Sequence, residues 1–140
     1  MTFRLGRFCS LVLFAAVLAL SGIAQAQPAA APAGAKEPRY LVYFNEFSAY
    51  LSPRAKATIA RAAKEAKAVG AKSITVQARA SATGTAVTNK YLAQTRSSIV
   101  ADQLEADGIT RSMIQEEPIG QTGSSDTSVR NRRVDIIIGH

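Results

Sequence analysis

The chain has 140 residues, with 17 basic and 10 acidic side chains for a net charge of +7, one cysteine and one histidine. That length accommodates a single domain with a modest apolar interior and leaves no room for a second one. With Cys9 and His140 as the only residues of their kinds, a disulfide framework and a cysteine- or histidine-rich metal site are excluded.

The first 26 residues have the three parts of a secretory signal: Arg4 and Arg7, an apolar run from Phe8 to Ile23, and the ending Ala24-Gln25-Ala26. Cleavage is expected after Ala26. The run is short for a spanning helix and is interrupted by Cys9, Ser10, Ser21 and Gly22, so no membrane span is expected after cleavage. Cys9 precedes most of the apolar stretch instead of following it, which argues against a lipoprotein anchor. Removing 26 residues leaves 114, with 15 basic and 10 acidic side chains and a net charge of +5. An excess of that sign favours anionic surfaces.

Residues 27–39 are dominated by Ala, Pro and Gly, with Pro28, Pro32 and Pro38, and are expected to be a linker. The domain proper is expected over 40–140, opening with a buried strand at Tyr40–Phe44. Ser52-Pro53 is a helix start, because serine caps a free backbone N–H and proline at the first helical position loses no hydrogen bond. Ala55, Ile59, Ala62, Ala66 and Val69 then recur at helical spacing until Gly70. Arg54, Lys56, Arg61, Lys64 and Lys67 lie across the opposite side, which reads as a solvated positive face.

Ser73 to Arg79 alternates as a half-buried strand, with Ile74, Val76 and Ala78 on one side. Small residues from Ala80 to Thr85 form a loop. A second helix is expected from about Val87 to Ala106, with Leu92, Ile99, Val100 and Leu104 on its apolar stripe. Met113–Ile119 is a third strand weakened by Glu116, Glu117 and Pro118, residues 121–128 form a loop, and Val134–Ile138 is a strongly apolar last strand. The fold class is therefore α/β (α+β), β-α-β-α-β-β, with helices packed on one mixed sheet.

Arg96 is the most informative single residue, since it stands four after Leu92 and four before Val100, on the apolar stripe. A guanidinium there must either reach the edge of the sheet or meet an anionic partner, because an unpaired buried charge costs several kcal/mol. Arg130, Arg132 and Arg133 form a second basic cluster at the entrance to the last strand. Alternation puts Arg132 on the side of Val134 and Arg133 on the other, so that one of them faces inward at the strand end, the alternative being a cap on a carboxylate such as Asp135 or the Glu116-Glu117 pair. No phosphate-binding glycine motif, metal-spaced acid set or nucleophile elbow occurs, and His140 is terminal, so neither enzymatic activity, nor a cofactor, nor a metal, nor nucleic acid is expected.

Four segments in fixed order resemble the OmpA-like peptidoglycan-associated domain: Tyr43-Phe44-Asn45 through Ser52-Pro53, the strand and loop Ile74–Gly84, Asn89–Arg96, and Asn131-Arg132-Arg133-Val134. The resemblance implies a soluble periplasmic module that binds peptidoglycan, its helix arginine, matched here by Arg96, pairing a carboxylate of the stem-peptide diaminopimelate. By the same resemblance Ser81, Asn89, Arg132 and Arg79 belong to the ligand region.

The family pattern has an acid in the loop where this chain has Ser81, and histidine where it has Arg79. Loss of a charged hydrogen bond worth about 1.5 to 3 kcal/mol weakens binding roughly ten- to a hundredfold. Two functions are therefore weighed. One is non-covalent peptidoglycan binding in support of the cell envelope, with possible outer-membrane or wall association. The other is a fold that has lost the wall ligand and binds an envelope protein or another anion through its basic surface.

Overall fold

The computed structural model describes residues 37–121 and 128–140. The expected signal at 1–26, most of the 27–39 linker and the greater part of the 121–128 loop lie outside the described residues. Six main elements follow in the expected order: β1 (Arg39–Tyr43), α1 (Pro53–Ala68), β2 (Ser73–Ala80), α2 (Ala86–Ala106), β3 (Ile114–Gln121) and β4 (Arg133–Gly139). Single 3-10 turns at Arg111–Met113 and Val129–Asn131 lead into the last two strands.

The sheet order is β1-β4-β2-β3. β2 and β3 pair in parallel across the α2 connection, whereas β4 runs antiparallel to both β1 and β2. The last strand of the chain is thus inserted at the centre, which explains why its Ile-rich run is buried throughout from Val134 to Ile138. Both helices cover one face. Val42, Ile74, Val76, Ala78, Val134, Ile136 and Ile138 point into that layer and meet Ile59, Ala62, Ala66, Val100 and Leu104.

Local chemistry sets the helix ends. The Ser52 hydroxyl accepts from the Ala55 N–H at 3.1 Å, Pro53 takes the first helical position, and Gly70 leaves the helix at φ 62°. Thr85 caps α2 in the same manner, accepting from the Thr88 N–H at 3.1 Å. The buried face of α2 differs from the expected one: Leu92 and Ile99 are only half-buried, while Asn89, Ala93, Arg96, Ser97, Val100, Ala101 and Leu104 are buried. Polar and small residues thus occupy much of the helix face against the sheet.

The residues that argued against β3 are each accommodated. β3 is an edge strand, so Pro118 breaks no central ladder, and the register slips between Ala78 and Arg79, leaving Ile119 as the extra residue. Glu116 accepts from the Ser97 hydroxyl at 3.0 Å and from Arg111 at 2.5 Å. Gly120, at φ 79°, passes so close to α2 that a Cβ there would lie 3.3 Å from the Lys90 Cα. Only glycine suits both demands.

Candidate functional site

Arg96 is fully buried midway along α2. Its Nε donates to the Ser48 carbonyl at 2.8 Å, Nη2 to the Asn45 carbonyl at 2.8 Å, and Nη1 to the Arg79 carbonyl at 3.3 Å. The guanidinium carbon lies 5.0 Å from the centre of the Phe44 ring. Three of the five N–H groups are thereby used on main-chain oxygens, and among the described residues no carboxylate bonds to this side chain. The positive charge is held by peptide dipoles and an aromatic face, not by an acid.

The β1–α1 loop is shaped around that guanidinium. Phe47 adopts φ 49°, a conformation rare for a bulky side chain, and it stands between the two residues whose carbonyls converge on Arg96. Ser48 N–H also returns to the Asn45 carbonyl at 3.3 Å, and the Ser48 hydroxyl accepts from the Tyr50 N–H at 3.1 Å. Burial is the chief cause that lowers the Arg96 pKa from its ordinary value to about 10, and the charge of Arg132 adds to it. Arg96 therefore remains cationic at neutral pH, with a second guanidinium repelling it.

The β2–α2 loop closes the other side. Ser81 is buried just beyond the strand end. Asn89 is buried too and donates from Nδ2 to the Thr83 carbonyl at 3.0 Å. The Thr83 hydroxyl is itself buried and has no partner among the described residues. Gly84, at φ 93°, lies where an added Cβ would stand 3.8 Å from the Phe47 ring and 4.0 Å from the Asn89 Oδ1. The two loops therefore meet at Phe47 and Gly84, with the exposed Phe47 ring (62%) at their rim.

Of the residues singled out in the sequence, Arg96 and Arg132 are brought within electrostatic reach of each other, while Ser81 lies in the β2–α2 loop and Asn89 in the first turn of α2, bonded back to that loop at Thr83. Arg79 is split between two environments. Its carbonyl serves Arg96, but its side chain leaves for the opposite face of the sheet and pairs with Asp135 at 2.6 Å. Its guanidinium does not join the other four expected ligand residues. Arg133 also faces that way and caps Asp135, as alternation along β4 requires. The main-chain acceptors Asn45 and Ser48, the Phe44 ring and the Thr83 hydroxyl were not legible beforehand, since carbonyl direction and loop curvature carry no residue-type signal. On α1, all five basic residues from Arg54 to Lys67 are exposed.

A mixed four-stranded sheet with two helices on one face, and an arginine enclosed where the β1–α1 and β2–α2 loops meet, defines a two-layer α/β domain of β-α-β-α-β-β order. The chain belongs to the OmpA family, whose sequence model matches residues 43–133. Among solved structures it is similar to the OmpA-like domain of FopA1 from Francisella tularensis, at TM-score 0.63 and 24% identity over 71% of this chain and 70% of that one. The peptidoglycan-associated lipoprotein from Burkholderia pseudomallei gives 0.61 and 21%, over 71% and 89%. The C-terminal domain of Helicobacter pylori MotB gives 0.60 and 20%, over 74% and 84%. No curated protein matches the sequence.

Proposed function

We propose that this chain is a non-enzymatic periplasmic module that holds peptidoglycan non-covalently, exported by a signal peptide removed after Ala26 and carrying the 27–39 segment as a linker. The carrying observation is the Arg96 charge, which among the described residues has no carboxylate partner and lies within the field of Arg132, so the junction of the two loops attracts an anion. The stem-peptide carboxylate is the anion such a wall ligand offers. Arg96 supplies the positive floor and fixes the 45–48 loop, Ser81 and Asn89 offer neutral hydrogen bonds, and Arg132 orients the bound group. With Ser81 in place of an acid, an ammonium on the ligand has no charged partner, and affinity for diaminopimelate is correspondingly low.

Cosedimentation with purified sacculi tests this reading. Parent protein is expected in the pellet, Arg96→Lys in reduced amount, and Arg96→Ala in the supernatant, while Ser81→Asp tightens binding about ten- to a hundredfold. Equal pelleting of parent and both Arg96 variants removes the proposed role.

The enclosure of Arg96 favours a second reading, in which the domain keeps the fold and meets an envelope protein or another anionic polymer through the exposed basic face of α1. Under that reading parent protein stays in the supernatant and only Ser81→Asp pellets.

A further inference from the structure

The sheet face away from the helices carries a second group of arginines. Arg39 from β1, Arg79 from β2 and Arg133 from β4 all converge on Asp135, which has no exposed surface. Arg39 Nη1 and Arg79 Nη1 reach Oδ2 at 3.3 and 2.6 Å, and Arg133 Nε reaches Oδ1 at 2.7 Å. The register explains the convergence: Leu41 and Gln77 flank Asp135 directly, so Arg39 and Arg79 reach it from diagonal positions, while Arg133 stands two residues away on the same strand.

One carboxylate needs one guanidinium. Here three surround it, and the cluster has a surplus of two positive charges. Asp135 takes one N–H from each fork, and Arg133 Nη1 additionally donates to the Arg130 carbonyl. Among the described residues the Arg39 and Arg79 guanidiniums make no other hydrogen bond, so most of their five donors each are uncommitted. The side chains are half to one-fifth exposed, at 50% for Arg39, 25% for Arg133 and 20% for Arg79. Glu117, the acid that β3 presents on the same face, is already engaged by Gln77 at 2.8 Å.

We propose that Arg39, Arg79 and Arg133, braced by Asp135, form a phosphate-binding site on the open face of the sheet, separate from the loop junction at Arg96. The buried carboxylate orients the three forks before any ligand arrives, which reduces the entropy lost on binding. A phosphate monoester matches the surplus in both charge and shape, bringing close to two negative charges and three terminal oxygens to three guanidiniums. A single planar carboxylate offers two oxygens and one charge, and Asp135 already fills that part.

Calorimetric titration of the full chain with inorganic pyrophosphate at low ionic strength tests the site. Parent protein is expected to bind, Arg39→Gln/Arg79→Gln to bind at least about tenfold more weakly, and the charge-matched Arg61→Gln/Lys64→Gln on α1 to bind as parent does. If the Arg39→Gln/Arg79→Gln chain fails to fold, Arg39→Gln alone, at a half-exposed position, is expected to show the same direction of change. Absence of parent binding, equal weakening by the α1 pair, or citrate binding as tightly as pyrophosphate overturns the proposal. Pelleting with phosphatidylglycerol against phosphatidylcholine vesicles separates the sources of phosphate. Phosphatidylglycerol-selective association that Arg39→Gln/Arg79→Gln abolishes assigns a lipid headgroup. Pyrophosphate binding that requires both arginines, with vesicle association that does not, assigns a free phosphate compound.

Discussion

On the helix side of the sheet one arginine is enclosed by neutral acceptors, whereas on the open side three arginines share one acid. Arg96 has three carbonyls and an aromatic ring and no exposed surface; Arg39, Arg79 and Arg133 have Asp135 and remain partly in water. Arg79 belongs to both arrangements, through its carbonyl on one face and its guanidinium on the other. The difference teaches how a small domain keeps positive charge in two forms. Dipoles fix a buried cation in geometry without cancelling its charge, while a shared carboxylate fixes several cations and cancels one of them.

Removing Arg96 is expected to have the largest effect. Arg96→Ala leaves the Asn45, Ser48 and Arg79 carbonyls without their donor and opens a void beside Phe44, at a cost of about 3–5 kcal/mol in urea unfolding. The 45–48 loop, which the guanidinium shapes, should lose amide-exchange protection first. If Arg96→Ala unfolds like the parent protein and keeps that protection, the carbonyl cage has no structural weight and the contrast between the faces disappears.

Asp135→Asn breaks the other side of the comparison. Three guanidiniums then face one another across a neutral amide, and a loss of about 3 kcal/mol is expected at low ionic strength. Because repulsion among partly exposed charges is screened by salt, raising ionic strength should recover much of this loss. Arg96→Ala should show no such recovery, since its deficit is missing hydrogen bonds and packing. Unfolding midpoints at two salt concentrations distinguish the cases, and a salt-independent Asp135→Asn defect contradicts the surplus-charge description.

How much of this was legible in the sequence follows from which signals are periodic. The Ser52-Pro53 cap, the Ala-rich stripe of α1, the alternation of β2 and the apolar run of β4 each depend on residue type at fixed spacing, and each element formed where that spacing placed it. Arg96 was conspicuous for the same reason, as a charge on an apolar stripe. The β3 assignment was weakened by Pro118 and the two glutamates, because sequence could not show that the strand lies at an edge, or that Ser97 and Arg111 come from elsewhere to hold Glu116. Arg79 was read from its place in a loop motif, although its strand parity with Gln77 puts it on the open face. Tertiary register, which sets it diagonal to Asp135, settled the matter.

The smallest expected effect concerns pH, and it sharpens the claim that Arg96 is a cation without an acid. In the folded chain its pKa is lowered to about 10, below that of an unperturbed guanidinium, so from the acid side up to neutral pH both folded and unfolded states hold the proton. The stability difference between the parent protein and Arg96→Gln should therefore be flat with pH between about 6 and 9. Above about 10 the unfolded chain holds more protons at this site than the folded one, and stability of the parent relative to Arg96→Gln should rise as pH climbs from about 10 toward the ordinary guanidinium value. A partner carboxylate would impose the opposite behaviour, with parent stability lost on acidification through the carboxylate range. Urea midpoints for the two proteins at pH 4, 7 and 10 decide between them: a relative loss at pH 4 would show that an acid, not the carbonyl cage, balances Arg96.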